Sequence, residues 1–413
     1  MNKEVIIYFI GKIIPAIFNI LLIFISIKFL GEEKYGQYTL LLNIVLTIHT
    51  FTFGIVQQGI LRFLSQNKTF INISINRFFI FINVTSLLGV IVFYIFNFFY
   101  FNLDIINVII ISAFLYLYNL YMYNLTINQA LFKSKKYVIN EIMYNLFLIV
   151  FLLIFIFYNY KNYMIIFWSM LISLFIVISI ITLGFIKTNK IKYSKTYLNK
   201  IFFKKTLNYG IQITVWLSIA YIFNIVDRYI MKGYIGYKEV GIYSSIYDII
   251  FKISTFACAP ILLAYHPRIA FEWNNNKINK SFSLIKKAIK IEILIFIMVF
   301  ALFLLTQKFI FFKISNIHYV GNINLLSIPI ILSAFIWQIS MFVHKPLELI
   351  FKQYLMIIGI VISLLINIVL NYLLIPIYGY QIAAVNTLIS VSFYLFFVLF
   401  FFIRQTKKLL KYG

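Results

Sequence analysis

Acidic residues are scarce in this chain: 11 Asp and Glu among 413 residues, against 36 Lys and Arg. Charged residues of both signs make up only 11% of the sequence, where a soluble chain of this length carries roughly a quarter. With 63% hydrophobic residues, that excludes an ordinary soluble domain. The apolar residues fall in runs of about 20, the length a helix needs to cross a bilayer. The scarcity of acids leaves a net charge of +25, but no basic segment forms a fold of its own, which argues against a nucleic-acid partner. The cations sit in short loops, where they suit an anionic lipid surface.

Cysteine is almost absent. The single Cys258 lies in a hydrophobic run and can form neither an intrachain disulfide nor a Cys-rich metal site, so it reads as a small packing residue. The four histidines (His49, His266, His318, His344) have no ligand spacing, so no metal is expected. There is no P-loop, no nucleophile motif and no pair of catalytic carboxylates. The expectation is therefore no cofactor, no direct use of ATP and no enzyme activity. Lys3 and Glu4 precede a long apolar run without a small-residue cleavage site, which reads as a retained first span. The excess of Ile, Phe, Tyr, Asn and Lys suits an AT-rich bacterial genome.

What is present is about twelve spans, near 5–29, 36–64, 78–101, 105–131, 138–158, 163–186, 207–232, 240–265, 288–312, 321–344, 355–375 and 380–403. Lys and Arg are roughly three times as numerous in the loops on the side of the two termini as on the other, so both termini are expected in the cytoplasm. The densest basic run, "KTNKIKYSKTYLNKIFFKK" (Lys187 to Lys205), falls on that side. The expected organisation is an N-terminal six-helix bundle over 1–186, a basic cytoplasmic linker over 187–206, a C-terminal six-helix bundle over 207–403 and a basic tail over 404–413.

A motif recurs across that linker. "FLGEEKYGQYTL" and "YIGYKEVGIYSS" both read G-x-x-x-x-G-x-Y, with Gly31, Gly36 and Tyr38 each 205 residues before Gly236, Gly241 and Tyr243. Both copies fall between the first and second spans of a six-span half, so the halves are expected to be parallel repeats. The glycines suit a tight turn on the outside. Asn19 and Asn224 keep the same 205-residue offset, Arg62 and Arg268 nearly so, and "QALFKSKKY" after span 4 resembles "ELIFKQY" after span 10.

Span 2 carries Asn43, Thr47, Thr50, Gly54, Gln58 and Arg62 at steps of three and four, which is one helix face. Its repeat partner places Asp248, Lys252 and Thr255 in the matching register. Lys12, Asn19 and Ser26 extend the stripe onto span 1, and Tyr221, Asn224 and Arg228 onto span 7. Polar groups in hydrocarbon face either a cavity or another helix. For Ser, Thr and Asn alone a helix–helix seam suffices. For Lys12, Asp248 and Lys252 a cavity is the preferred reading, with an Asp248–Lys252 pair as the competing one. Arg62 and Arg268 also suit cytoplasmic anchors. Asp227 and Arg228, near the outer interface, are expected to be solvated.

The segments "GKIIPAIFNILLIFISIKFLGEEKYGQYTL", "FGIVQQGILRFLS", "DRYIMKGYIGYKEVGIYSSIYDI" and "NIVLNYLLIPIYGYQIAAVNTLIS" resemble the polysaccharide biosynthesis, or Wzx-type, oligosaccharide flippases of the multidrug/oligosaccharidyl-lipid/polysaccharide exporter superfamily. One departure is Gln381, in "YQIAAVN", where a small residue is usual. The resemblance implies an all-α membrane fold, with about twelve helices in two parallel six-helix bundles around a central cavity that opens alternately to each side. It implies a bacterial cytoplasmic-membrane flippase for polyprenyl-diphosphate-linked oligosaccharide, with membrane lipid around it and a polysaccharide polymerase and glycosyltransferases as candidate partners. Lys12, Asn19, Asn43, Thr47, Arg62, Asn224, Asp248 and Lys252 are the candidate cavity residues. Two other classes stay open: a multidrug cation antiporter of the same superfamily, which would prefer acids in its cavity, and a membrane polymerase, which would need a large outside loop.

Overall fold

A chain in hydrocarbon must satisfy its backbone hydrogen bonds internally, and this sequence does so with helices. The computed structural model describes residues 3–64, 71–131, 133–188, 198–314 and 323–412, and no strand occurs among them. The helices are α1 (Lys3–Leu30), α2 (Glu32–Phe63), α3 (Ile71–Phe96), α4 (Ile105–Ala130), α5 (Ser134–Phe157), α6 (Met164–Thr188), α7 (Leu198–Phe223), α8 (Val226–Tyr234), α9 (Tyr237–Asn274), α10 (Ile278–Lys308), α11 (Asn324–Val343), α12 (Lys345–Leu349), α13 (Gln353–Tyr378) and α14 (Gln381–Tyr412). Twelve spans among the described residues are long and apolar enough to cross a membrane, so the chain is a multi-pass membrane protein. Two differ from a plain rod. The seventh breaks between α7 and α8, and the tenth ends in the separate turn α12. Helix α9, with 38 residues, is about 57 Å long and outreaches a hydrocarbon core of about 30 Å.

The connections repeat as the sequence motif does. Gly31, at φ +83°, is the single residue between α1 and α2, and Gly236, at φ +113°, stands just before α9. After α4, the Lys133 N–H donates to the Asn128 carbonyl at 2.8 Å. After α12, the Lys352 N–H donates to the Leu347 carbonyl, again five residues back at 2.8 Å. A π-helical turn extends α3 (Asn97–Phe101) and α10 (Phe309–Ile314), the third span of each half.

The chain forms two compact units that interleave in sequence. One comprises residues 1–22 and 38–218, the other 23–37 and 219–413, so α1, α2 and α7 each run through the division. In the first unit, Phe53, Val56, Ile60, Phe78, Ile82 and Tyr123 form a core from α2, α3 and α4, against which Phe203 and Leu207 of α7 pack. Gly59 and Gly210 let α2 and α7 approach: a Cβ on Gly210 would stand 1.9 Å from the Ile55 carbonyl oxygen, and one on Gly59 2.6 Å from that of Thr206. In the second unit, Ile261 and Ile269 of α9, Phe282, Ile285 and Ala288 of α10, and Phe342 of α11 form the corresponding core. Of the expected linker, residues 189–197 lie outside the described ones, whereas 187–188 end α6 and 198–206 begin α7.

Candidate functional site

The charged part of the predicted stripe is assembled in the second unit, where the seventh span breaks. The Asn224 N–H is shared between the Ala220 and Tyr221 carbonyls, at 3.3 and 3.1 Å, and Ile225 stands outside helical geometry at φ −127°. Irregular backbone inside a membrane protein is tolerated where protein surrounds it or a wet cavity adjoins it. Phe223 and Ile225 are buried here.

Asp227 and Arg228 follow in the first turn of α8, and both are 2% exposed. That corrects the expectation of a solvated pair. Burying a charge is tolerated only with close partners, and these are supplied. Asp227 Oδ1 accepts the Arg228 N–H at 2.8 Å, and its Oδ2 accepts the Tyr243 hydroxyl at 2.5 Å. Arg228 Nη2 donates to Asp248 Oδ1 at 2.7 Å, and the guanidinium lies 4.8 Å from the Tyr247 ring centre. The Tyr247 hydroxyl donates to Asn224 Oδ1 at 3.0 Å, while Asn224 Nδ2 donates to the Ala220 carbonyl. The Tyr35 hydroxyl reaches Asp248 Oδ2 at 3.3 Å. The Arg228 Nε is buried with no partner.

Lys252 is half-buried one turn beyond Asp248 and interacts electrostatically with both Asp248 and Arg228. The cluster therefore holds two acids and two bases. The sequence reading preferred a cavity for Asp248 and Lys252 and held a pair between them as the competitor; the geometry gives Asp248 a charge-assisted bond to Arg228, twenty residues away. Tyr35, Tyr243 and Tyr247 were not anticipated. A signal existed for Tyr243, the last residue of the repeated motif, and for Tyr247, one helical turn further on.

In the first unit the residues in the matching register, Asn43, Thr47 and Thr50, are neutral, and the two threonines are satisfied within their own helix. Thr47 and Thr50 donate to the carbonyls four residues back, those of Asn43 and Leu46, at 2.7 and 2.8 Å. Asn43 is buried, and its Nδ2 has no partner. Asn19 Nδ2 bonds to the Pro15 carbonyl at 2.8 Å and reaches Asn145 of α5 at 3.5 Å. Arg62 is exposed, donates to the Tyr209 hydroxyl at 3.0 Å and lies 4.4 Å from that ring centre. Lys12 is on α1, and its side chain lies outside the described residues. The stripe thus divides by chemistry: Asn224, Asp248 and Lys252 are together, and Asn19, Asn43, Thr47 and Arg62 belong to the other unit.

The repeated glycines also have separate duties. Gly31 and Gly236 supply the positive φ of the turns, as the sequence suggested. Gly36 and Gly241 lie inside helices and face each other. A Cβ on Gly36 would stand 2.1 Å from the Tyr237 carbonyl oxygen, and one on Gly241 1.8 Å from that of Glu32. The two copies of the motif pack backbone to backbone, directly beside the residues that hold Asp227 and Asp248.

The model of the family described as polysaccharide biosynthesis protein matches residues 1–273, more than half of the chain. This chain belongs to the polysaccharide biosynthesis protein family. No curated protein matches it in sequence. Among solved structures, an inward-facing multidrug-resistance MATE transporter of the MOP superfamily superposes with a TM-score of 0.71 at 14% identity, covering 98% of this chain and 99% of that one. A MOP-superfamily transporter from Pyrococcus furiosus gives a TM-score of 0.69 at 13% identity, covering 98% and 96%. The lipid II flippase MurJ in an inward closed conformation gives 0.66 at 15% identity, covering 97% and 87%. This member of the polysaccharide biosynthesis family thus has a MATE-like transporter fold, all helical, with twelve candidate membrane spans.

Proposed function

We propose that the chain is a flippase that carries a polyprenyl-diphosphate-linked oligosaccharide across the bacterial cytoplasmic membrane by alternating access. The family match over residues 1–273 is the observation that carries this reading. The fold shared with the lipid II flippase MurJ supports a lipid-linked cargo. The chemistry is consistent: a lipid tail can stay in hydrocarbon, whereas the diphosphate and sugar cannot cross it unaided. Lys252 and Arg62 offer charge to the diphosphate, with Lys12 as a third candidate. Asn19, Asn43, Thr47 and Asn224 offer hydrogen bonds to hydroxyls, and Asp248 sets the local charge balance. The bias of loop Lys and Arg supports both termini facing the cytoplasm, and a polysaccharide polymerase and glycosyltransferases are the proposed partner enzymes.

The MATE-like fold keeps one second reading in view, a multidrug cation antiporter. Purified protein in liposomes separates them. With a lipid-linked oligosaccharide in one leaflet, the flippase reading expects the sugar to reach the opposite face at unchanged mass. Accumulation of an organic cation with no movement of the sugar lipid would favour the antiporter. A lengthened glycan would move the chain into the polymerase class.

A further inference from the structure

Helix α10 turns one face away from the second unit, and that face changes character along its length. Its inward side carries Ser281, Ile285 and Ala288, all buried. On the opposite side Ile293, Leu294, Ile297, Met298 and Leu305 are exposed apolar residues at helical spacing, and Phe309 continues them. Ile293 to Phe309 covers about 24 Å, most of a hydrocarbon core of about 30 Å. In a membrane protein an exposed apolar face of that length meets lipid. Just before Ile293 the same face becomes cationic. Lys286, Lys287 and Lys290 are exposed there, and none of them pairs with an acid among the described residues.

Helix α14 repeats the pattern. Ile389, Phe396, Phe400 and Ile403 are exposed, and Arg404, exposed as well, follows them. The two helices meet at this end, where the Phe282 and Phe402 rings lie 5.7 Å apart. The third span of the other half, α3, also has an exposed apolar face, through Ile80, Val84, Leu87 and Ile91, but it carries a single cation, Arg77, over its whole length. Four cations at one end of a lipid-facing wall are thus particular to the second unit and exceed what anchoring a third span requires.

We propose that Lys286, Lys287, Lys290 and Arg404 form a binding site for an anionic glycerophospholipid, with its phosphate among the cations and its acyl chains along the apolar faces of α10 and α14. A lysine stem can lie on apolar surface while its ammonium reaches the headgroup layer, and each cation near an anionic membrane surface adds to the attraction. In the orientation proposed from the loop charges, this end faces the cytoplasmic leaflet. The ligand is a lipid that stays in its leaflet, distinct from the one the proposed flippase carries.

Native mass spectrometry of the purified full chain tests the site with phosphatidylglycerol and phosphatidylcholine of identical acyl chains, which differ in headgroup charge. The wild type should retain phosphatidylglycerol preferentially, and less so as salt rises. Changing any one of the three lysines to glutamine should weaken that binding about fivefold, and Lys286→Gln, Lys287→Gln and Lys290→Gln together about a hundredfold, with phosphatidylcholine unaffected. Lys133→Gln, Lys135→Gln and Lys136→Gln together remove the same charge from exposed lysines of the other unit and should leave the preference intact. Equal weakening by both triple variants, or none by the first, overturns the inference. So does displacement of phosphatidylglycerol by equimolar polyprenyl diphosphate, which would make this face an entry for the cargo.

Discussion

Arg228 is the residue on which the second unit's charge balance turns. It bonds to Asp248, takes its backbone position against Asp227 and covers Tyr247. Removing one partner of a buried ion pair typically costs about 3–5 kcal/mol, because the other charge is left without compensation. Arg228→Leu should therefore sharply reduce the yield of monodisperse protein in detergent. Adding Asp248→Asn should recover part of it, by removing one of the two stranded acids. Lys252 is predicted to behave differently. It is half-buried and is not the side chain that donates the short bond to Asp248, so Lys252→Ala should extract normally while losing sugar-lipid transport, and Lys252→Arg should keep part of the activity. Normal transport by a well-expressed Lys252→Ala protein would make the residue a packing cation. The sequence displayed these ionisable groups but not their pairing. A spacing of four residues made Asp248–Lys252 the visible pair, whereas the bond to Arg228 depends on the break in the span, and that break carries no proline or glycine to announce it.

At the scale of elements, most spans could be read directly, because about 20 apolar residues in a row have few alternatives to a transmembrane helix. The ends were harder, as α9 and α10 continue through polar sequence that hydropathy assigns to loops. The glycine motif shows the same division. Its spacing disclosed a repeat, but only the packing shows that the second glycine of each copy serves close helix approach. This gives an ordered prediction for thermal stability. Gly241→Ala and Gly36→Ala place a methyl against backbone carbonyls that cannot yield without moving a helix, and should be the most damaging. Gly31→Ala meets nothing within 4 Å and suffers only the left-handed backbone cost, about 1–2 kcal/mol. Equal losses at positions 31 and 241 would mean that the close approach is not a constraint. The exposed Phe351, at φ +58°, offers the converse test: Phe351→Gly should raise the unfolding temperature by relieving the same backbone conformation.

At the scale of the molecule, the two halves share a plan but not a chemistry. Five-residue-back hydrogen bonds and π-helical extensions recur at equivalent places in the order of spans, and the turn glycines recur at a register of 205 residues. The stripe at that register is Asn43, Thr47 and Thr50 in one half and Asp248, Lys252 and Thr255 in the other. A parallel repeat of six spans requires equivalent elements of both halves to emerge on the same side. From the loop charges we propose that the turns at Gly31 and Gly236 lie outside and the chain ends inside. Two exposed positions test this, Glu33 just after the first turn and Arg404 at the end of the last candidate span. With the buried Cys258 replaced by alanine, single cysteines are introduced as Glu33→Cys or Arg404→Cys and exposed to a membrane-impermeant thiol reagent on intact cells. Position 33 should label at once and position 404 only after lysis. Because α9 begins as α2 does, Glu239→Cys, three residues beyond the second turn glycine, must behave like position 33. Opposite labelling of 33 and 239 would break the parallel relation between the halves. Matching protection of both, with 404 labelled, would keep the repeat and invert the protein in its membrane.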